Sequence, residues 1–268
     1  MVGRAAVRRR DRRVPREGRV TLLSRLASLR TSGERAVLFT VVEGEGAGAK
    51  TLVVEGAETV GGGVPEGAIA QFDELIRQGR NRLLDLAGAR VFAEWYGPPP
   101  RLFVYGAVDT AEALCRGARL LGWTAIVGDA RAVFLTPERL PSADRLIAKW
   151  PQDALAEIEP DHQTAVVVLT HDDKFDEPAL IAALASEAFY VGALGSRRTT
   201  ERRRERLREA GVAEEALDRI MGPCGLDIGA DTQEETALSI LAEILAVRGG
   251  RKGGPLRESK QRIHVEAS

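Results

Sequence analysis

The chain has 268 residues, 44% of them hydrophobic and 29% charged, and its 38 Lys and Arg against 39 Asp and Glu give a formal net charge of −1. That length suits one large or two modest globular domains, and the hydrophobic share excludes a mostly disordered chain. Cys115 and Cys224, the two cysteines, lie far apart without CxxC spacing, which argues against a disulfide framework or zinc module and fits a reducing cytoplasm. No apolar run approaches about 18 residues and the N-terminus lacks a secretory core, so a soluble cytoplasmic protein is expected.

The first 30 residues hold ten arginines and two acids. Residues 1–33 therefore read as a basic, flexible arm; nucleic-acid binding is not expected of it, because no aromatics interleave the arginines. From Glu34 onward the pattern becomes structured. AVLFTVVEG (36–44) and TLVVEG (51–56) read as strands of a hairpin, GGGVPEGAIAQFDELIRQ (61–78) as a helix carrying Ile69, Phe72, Leu75 and Ile76, and ARVFAEWY (89–96) as a further strand. Pro98, Pro99 and Pro100 form a stiff connector, and the boundary between two domains, 34–97 and 98–250, is placed there, with 251–268 as a tail.

Beyond the prolines, strand and helix alternate. Strands are expected at 101–108, 124–131, 164–172 and 190–196, and helices at 110–122, 177–188, 197–211, 214–220 and 232–249. The fold class is α/β, a C-terminal Rossmann-like, doubly wound and mostly parallel sheet with a smaller N-terminal α+β domain. Sheets of this kind bind ligands beyond the carboxyl ends of their strands, which directs attention to the loops there.

The first such loop follows VYGAV (104–108). A dinucleotide fingerprint needs GxGxxG, and the corresponding positions here are Gly106, Val108 and Ala111. Only the tight-turn glycine is kept in full. Asp109 reads as the N-cap of the next helix, with Glu112 completing an approximate capping box, and an acid there competes with a phosphate for the free amides. Asp129 stands at the end of the second strand, where a ribose-binding acid belongs, and Arg131 beside it suits a phosphate; a simple turn at GDAR is equally open.

The strongest anion signal is Gly195-Ser196-Arg197-Arg198-Thr199. Gly195 permits unusual backbone angles, Ser196 is placed to cap a helix, and Arg197 or Arg198 offers a bidentate fork to a phosphate or carboxylate. The arginines at 202–204, 206 and 208 alternate with Glu201, Glu205 and Glu209 and read as a solvated, salt-bridged face. His171 and Asp172 suit polar contact with a heteroaromatic ligand or plain loop hydrogen bonding, and Asp176 reads as a cap. No metal site is expected, since no second histidine has ligand spacing. Asp227, in the loop 222–231, is a ligand contact or a turn residue, Cys224 in that loop is a thiol of open reactivity, and Thr232 with Glu235 forms a capping box.

THDDKFDEPAL (170–180), YVGALGSRRT (190–199) and PCGLDIGADTQEETALSILAEI (223–244), in that order after PPPRLFVYGAVDTAEAL, resemble the XdhC/CoxI family over about residues 89–249. Members of that family are accessory proteins, molybdenum cofactor chaperones for xanthine dehydrogenase, carbon monoxide dehydrogenase and related molybdenum hydroxylases. The resemblance implies a protein that binds molybdopterin transiently, assists its sulfuration with a cysteine desulfurase, and delivers it to an apo-hydroxylase, with weak catalysis of its own or none. The candidate contacts for such a cofactor, read from the loops, are Gly106, Asp129, Arg131, His171, Asp172, Gly195, Ser196, Arg197, Arg198 and Asp227; the cofactor is expected to be buried between the two domains, and a homodimer is left open. An NAD(P)-dependent oxidoreductase using Gly106 and Asp129 is the disfavoured alternative. The family's GGCxE motif reads Gly62-Gly63-Val64-Pro65-Glu66 here, so Val64 stands where the family has cysteine.

Overall fold

The structure, a computed structural model, describes residues 21–57, 59–170 and 172–259. Most of the predicted basic arm, residues 1–20, and the candidate His171 lie outside the described residues. The elements run in the order α1 (Leu22–Ser32), β1 (Ala36–Gly44), β2 (Lys50–Val54), β3 (Thr59–Gly62), α2 (Glu66–Ile69), α3 (Phe72–Gln78), β4 (Arg82–Leu86) and β5 (Ala89–Tyr96). There follow β6 (Arg101–Tyr105), α4 (Asp109–Leu120), β7 (Thr124–Gly128), β8 (Arg145–Ile147), α5 (Pro151–Ile158), β9 (Thr164–Val168), α6 (Asp173–Leu184), β10 (Tyr190–Ala193), α7 (Arg197–Glu209), α8 (Glu214–Leu217), β11 (Ile220–Met221) and α9 (Gln233–Arg248).

The first five strands form an antiparallel sheet in the order β3-β2-β1-β5-β4. Strand β1 shows why it is covered on both faces, since side chains alternate along a strand. Val37, Phe39 and Val41 pack with Leu75 and Ile76 of α3, while Ala36 and Leu38 pack with Leu29, Leu26 and Leu22 of α1. Helix α1 corrects the reading of residues 1–33 as a flexible arm throughout. Its leucines at 22, 26 and 29 follow helical spacing, Thr21 caps it by accepting from the Ser24 amide, and Gly33 ends it in the left-handed conformation. The helix expected over 61–78 starts only at Glu66, because Thr59–Gly62 pairs with β2 as an edge strand, and it is divided into α2 and α3 at Ala70 and Gln71. Val64, in the position of the family cysteine, is buried in the core of this sheet.

The second sheet has six strands, all parallel, in the order β11-β10-β9-β6-β7-β8. Strand order reverses between β6 and β9, the Rossmann arrangement. The central strand β9, TAVVV, is buried along its whole length, as expected for a β-branched strand covered by helices on both faces. One face carries α4 and α9 over Leu102, Val104, Ala165 and Val167. The other carries α5, α6 and α7 over Phe103, Tyr105, Val166 and Val168. Several expected strands are shorter than the sequence suggests, because their last residues belong to the loops that leave the sheet.

The two sheets meet at one end of the parallel strands. Arg248, at the end of α9, donates through Nη2 to the Gly79 carbonyl at 3.1 Å and to Gln163 Oε1 at 3.0 Å, and Gln163 Nε2 donates to the Arg77 carbonyl at 2.6 Å. Arg35, ahead of β1, is paired with Asp161, ahead of β9. Gln163 and Asp161 precede β9, so this seam lies at the amino ends of the parallel strands. The loops at their carboxyl ends face away from it. The seam and the carboxyl-end loops are therefore separate places on the parallel sheet.

Candidate functional site

At the carboxyl end of β6 the chain turns at Gly106, whose φ of 117° lies in a region that favours glycine. A Cβ there would stand 3.2 Å from the Thr170 nitrogen, so the close passage of β6 beside β9 also requires glycine. The turn's amides are spoken for within the protein. Ala107 N–H donates to Asp129 Oδ2 at 2.9 Å, and Gly106 N–H to the Gly128 carbonyl at 2.8 Å. Asp129 is buried, and Arg131 grips it through its backbone amide, Nε and Nη2 at 2.9 to 3.0 Å. Burial works to raise the Asp129 pKa, but these hydrogen bonds outweigh it and hold the carboxyl below its usual value.

Asp109 does not cap α4. The N-cap is Val108, which offers no side-chain acceptor, and Asp109 is the first helical residue, 80% exposed, with Arg139 at 3.6 Å. Glu112 accepts instead from the Ser142 amide. A cleft of about 210 Å³ opens here, lined by Ala107, Val108, Asp109, Arg131, Phe134 and Arg139. A dinucleotide laid along this turn in the usual way would have to displace a buried carboxylate from the Ala107 amide and meet the exposed carboxylate of Asp109.

The turn from β10 into α7 is built differently. Gly195 has φ 150°, and a Cβ on it would crowd Thr199 Cβ at 3.3 Å. Ser196 caps α7, accepting from the Thr199 amide at 3.1 Å. Arg197 and Arg198 are exposed, and neither side chain makes an ion pair or hydrogen bond among the described residues. The helix end, with its free amides and partial positive charge, and two unengaged guanidinium groups make a favourable seat for an anion.

Behind this seat is a buried ion pair that sequence reasoning missed. Arg203 is 1% exposed, donating to Asp176 Oδ2 through Nε and Nη2 at 2.9 and 2.5 Å and to the Leu194 carbonyl at 3.0 Å. Asp176 is buried too and accepts from the Thr170 hydroxyl at 2.6 Å, so it is no helix cap; Asp172 fills that role, accepting from the Lys174 amide. Arg203 therefore leaves the solvated face to which its charged neighbourhood assigned it. A signal was present, since Arg203 lies four residues before the buried Leu207 and so shares its inward side. Its Nη1 is buried without a hydrogen-bond partner among the described residues, as is Thr200 Oγ1 on the preceding turn. The remaining ion pairs of α7 reach across to other elements, Arg206 to Asp173 and Glu177, Arg204 to Glu214 and Asp218, and Arg208 to Glu214.

The loop 222–231 crosses beside β10, where the Cys224 amide donates to the Ala193 carbonyl at 3.1 Å. The Cys224 thiol is buried; desolvation first, and the nearby Glu243 second, push its pKa up to about 12. It is a protonated, unreactive group in this conformation. Glu243 accepts from the Tyr190 hydroxyl at 2.6 Å and the Gly225 amide at 2.9 Å, fixing the loop to α9. Asp227 is exposed in the same loop. Thr232 and Glu235 make the expected capping box. Among the described residues, no group of three or more His, Cys, Asp or Glu is arranged to hold a metal ion.

A parallel sheet in Rossmann order, with its loops gathered at the carboxyl ends of the strands, defines a Rossmann-like protein accompanied by an antiparallel sheet. The chain belongs to the XdhC family, whose description, the XdhC Rossmann domain, matches residues 102–244. It is 37% identical over 174 residues to the uncharacterized protein YqeB of Escherichia coli, covering 63% of this chain and 31% of YqeB. It is 32% identical over 158 residues to a protein of Bacillus subtilis named as a probable xanthine dehydrogenase subunit, over 59% of this chain and 46% of that one. With the molybdenum cofactor insertion chaperone PaoD of Escherichia coli it shares 33% identity over 157 residues, 59% of this chain and 43% of PaoD. The chain thus spans less than half the length of each of these relatives. A crystal structure described as a xanthine dehydrogenase from Bacillus halodurans has the same fold, with a TM-score of 0.53 at 20% identity over 90% of this chain and 98% of that chain.

Proposed function

We propose that this protein is an accessory factor for a molybdenum hydroxylase, binding the molybdenum cofactor as cargo and assisting its sulfuration and insertion into the apo-enzyme. The observation that carries the reading is the start of α7. There Arg197 and Arg198 stand unengaged beside a helix N-terminus at the carboxyl edge of the sheet. The cofactor's phosphate matches that seat in charge and shape. The orphaned Nη1 of Arg203 and Oγ1 of Thr200, one layer deeper, fit a polar ligand that draws these groups into its hydrogen bonding. Gly195 and Ser196 shape the seat, while Asp172 and Asp227, with His171, are the candidates for the pterin's donors and acceptors. Asp129 and Arg131 serve the reading as a closed pair that keeps the β6–α4 turn in shape.

The names of PaoD and the Bacillus subtilis relative support the same role. The partners would be an apo-hydroxylase and a cysteine desulfurase, with 98–250 as the cofactor-binding unit and 34–97 as the smaller domain. The buried, protonated Cys224 supports a role in holding the cargo more than one in carrying sulfur. The occupied Ala107 amide weighs against a nicotinamide dinucleotide at the β6–α4 turn.

The test is the oxidised-pterin fluorescence of protein purified from a molybdenum-replete host. Wild-type protein is expected to carry pterin, and Arg197→Ala with Arg198→Ala to lose most of it. Unchanged pterin content in the double variant overturns the phosphate assignment. Sub-millimolar NAD(H) or NADP(H) binding by calorimetry would favour the oxidoreductase instead.

A further inference from the structure

Where α9 meets the N-terminal sheet, the seam gathers several arginines, of which Arg80 and Arg248 make no ion pair among the described residues. Arg248 spans it, with Nη2 on the Gly79 carbonyl at 3.1 Å and its guanidinium 5.3 Å from the centre of the Trp123 ring. The next residue after Gly79 is Arg80. Its Nε is buried without a hydrogen-bond partner, and its side chain makes no ion pair among the described residues. Arg82, at the start of β4, donates to the neutral Gln78 at 2.9 Å, and Arg251 folds back just past α9, its amide on the Ala246 carbonyl at 2.7 Å. The acid facing Arg80 is Glu74, and both of its oxygens are already taken, by Arg77 at 2.7 Å and Gln78 at 2.6 Å. Desolvation, and then the charges of Arg82 and Arg251, lower the Arg80 pKa, and desolvation followed by Arg80 lowers that of Arg248.

Like-charged guanidinium groups partly withdrawn from water repel one another, and a planar fork with unsatisfied N–H groups is suited to a tetrahedral oxyanion. We infer that the seam is a second anion site, in which Arg80, Arg82 and Arg248 hold a phosphate or diphosphate group that ties the antiparallel sheet to the Rossmann unit. The site is independent of the seat at α7 and lies at the opposite end of the parallel strands. Its ligand bridges two elements of the N-terminal sheet and the end of α9, so binding stiffens the joint between the two parts.

The probe is inorganic phosphate, with pyrophosphate alongside, and the readout is the thermal unfolding midpoint of the full chain against sodium chloride at equal ionic strength. Millimolar phosphate is expected to raise the wild-type midpoint by roughly 3 °C beyond chloride. Arg80→Gln distinguishes an anion site from a structural arginine by its sign. It should raise the midpoint in phosphate-free buffer, by relieving repulsion and burial of charge, and remove the part of the phosphate response that persists when Arg197 and Arg198 are alanine. Arg248→Gln should lower the starting midpoint, through loss of its bonds to Gly79 and Gln163, and remove that same part of the response. The double variant Arg197→Ala, Arg198→Ala should keep it. The inference is overturned if phosphate does no more than chloride, if Arg80→Gln lowers the phosphate-free midpoint, or if the response disappears with the α7 arginines and survives in Arg80→Gln.

Discussion

Two turns at the carboxyl edge of one sheet share a local plan and differ in what they leave free. Both β6–α4 and β10–α7 run strand, glycine, helix start. In the first, the neighbouring strand β7 delivers Asp129 to the Ala107 amide, and Arg131 neutralises it, so the turn is complete without a ligand. In the second, the supporting carboxylate is Asp176, which lies beneath the helix and engages Arg203, leaving the helix end and its two leading arginines open. The capacity of such a turn for an anion is therefore decided by where the nearest buried carboxylate is delivered, more than by the turn's own glycine count.

The largest way to break that contrast is to remove the carboxylate under the open turn. Asp176→Ala strands the Arg203 charge in the interior and should cost about 3–5 kcal/mol in chemical denaturation at neutral pH; a loss below about 1 kcal/mol would mean the pair is not holding α7. Next comes the closed turn. Asp129→Asn should cost about 1–3 kcal/mol at pH 7, from the weakened bonds to Ala107 and Arg131. The Asp129 pKa is depressed in the folded protein, so its contribution is present above the ordinary carboxylate pKa and is lost as pH falls through the folded value. Wild type and variant should therefore converge in stability once pH has fallen below the depressed folded value, and curves that remain parallel from neutral pH down to acid would rule this out.

The helix starts give a smaller contrast. Ser196→Ala removes the α7 cap and should cost about 1 kcal/mol, whereas Asp109→Ala, on a residue that caps nothing, should cost no more than about 0.5 kcal/mol by the same denaturation measurement. Smallest is the effect of alkylating reagent on the native protein. Burial pushes both thiols up to about 12, so maleimide should label Cys115 and Cys224 only after unfolding. Fast labelling of Cys224 in native protein would show that the loop 222–231 opens.

Much of this architecture is legible in the residues alone. Strand β5 runs over 89–96 as its alternation predicts, and the Thr232–Glu235 box starts α9 one residue after its cap, because both signals are local. The alternation after the prolines points to the parallel sheet for the same reason. What is not legible depends on distant partners. Asp109, Asp172 and Asp176 look alike as acids near helix starts, and only the packed fold decides that Asp172 caps, Asp109 points to solvent and Asp176 binds Arg203. Arg203 sits among arginines that composition cannot separate. Helix α1 is hidden by the arginine-rich residues before it, though Leu22, Leu26 and Leu29 have the spacing of a helix face. The free state of Arg197 and Arg198 is likewise a property of what the fold brings near them.

The seam at the amino ends of the strands has a consequence for traffic at the other end. The contacts of Arg248, Gln163, Arg35 and Asp161 clasp the two sheets away from the loops where α4, α6 and α7 begin. Those loops lie at the edge of the parallel sheet opposite the clasp, open to a second surface while both halves of the protein stay joined.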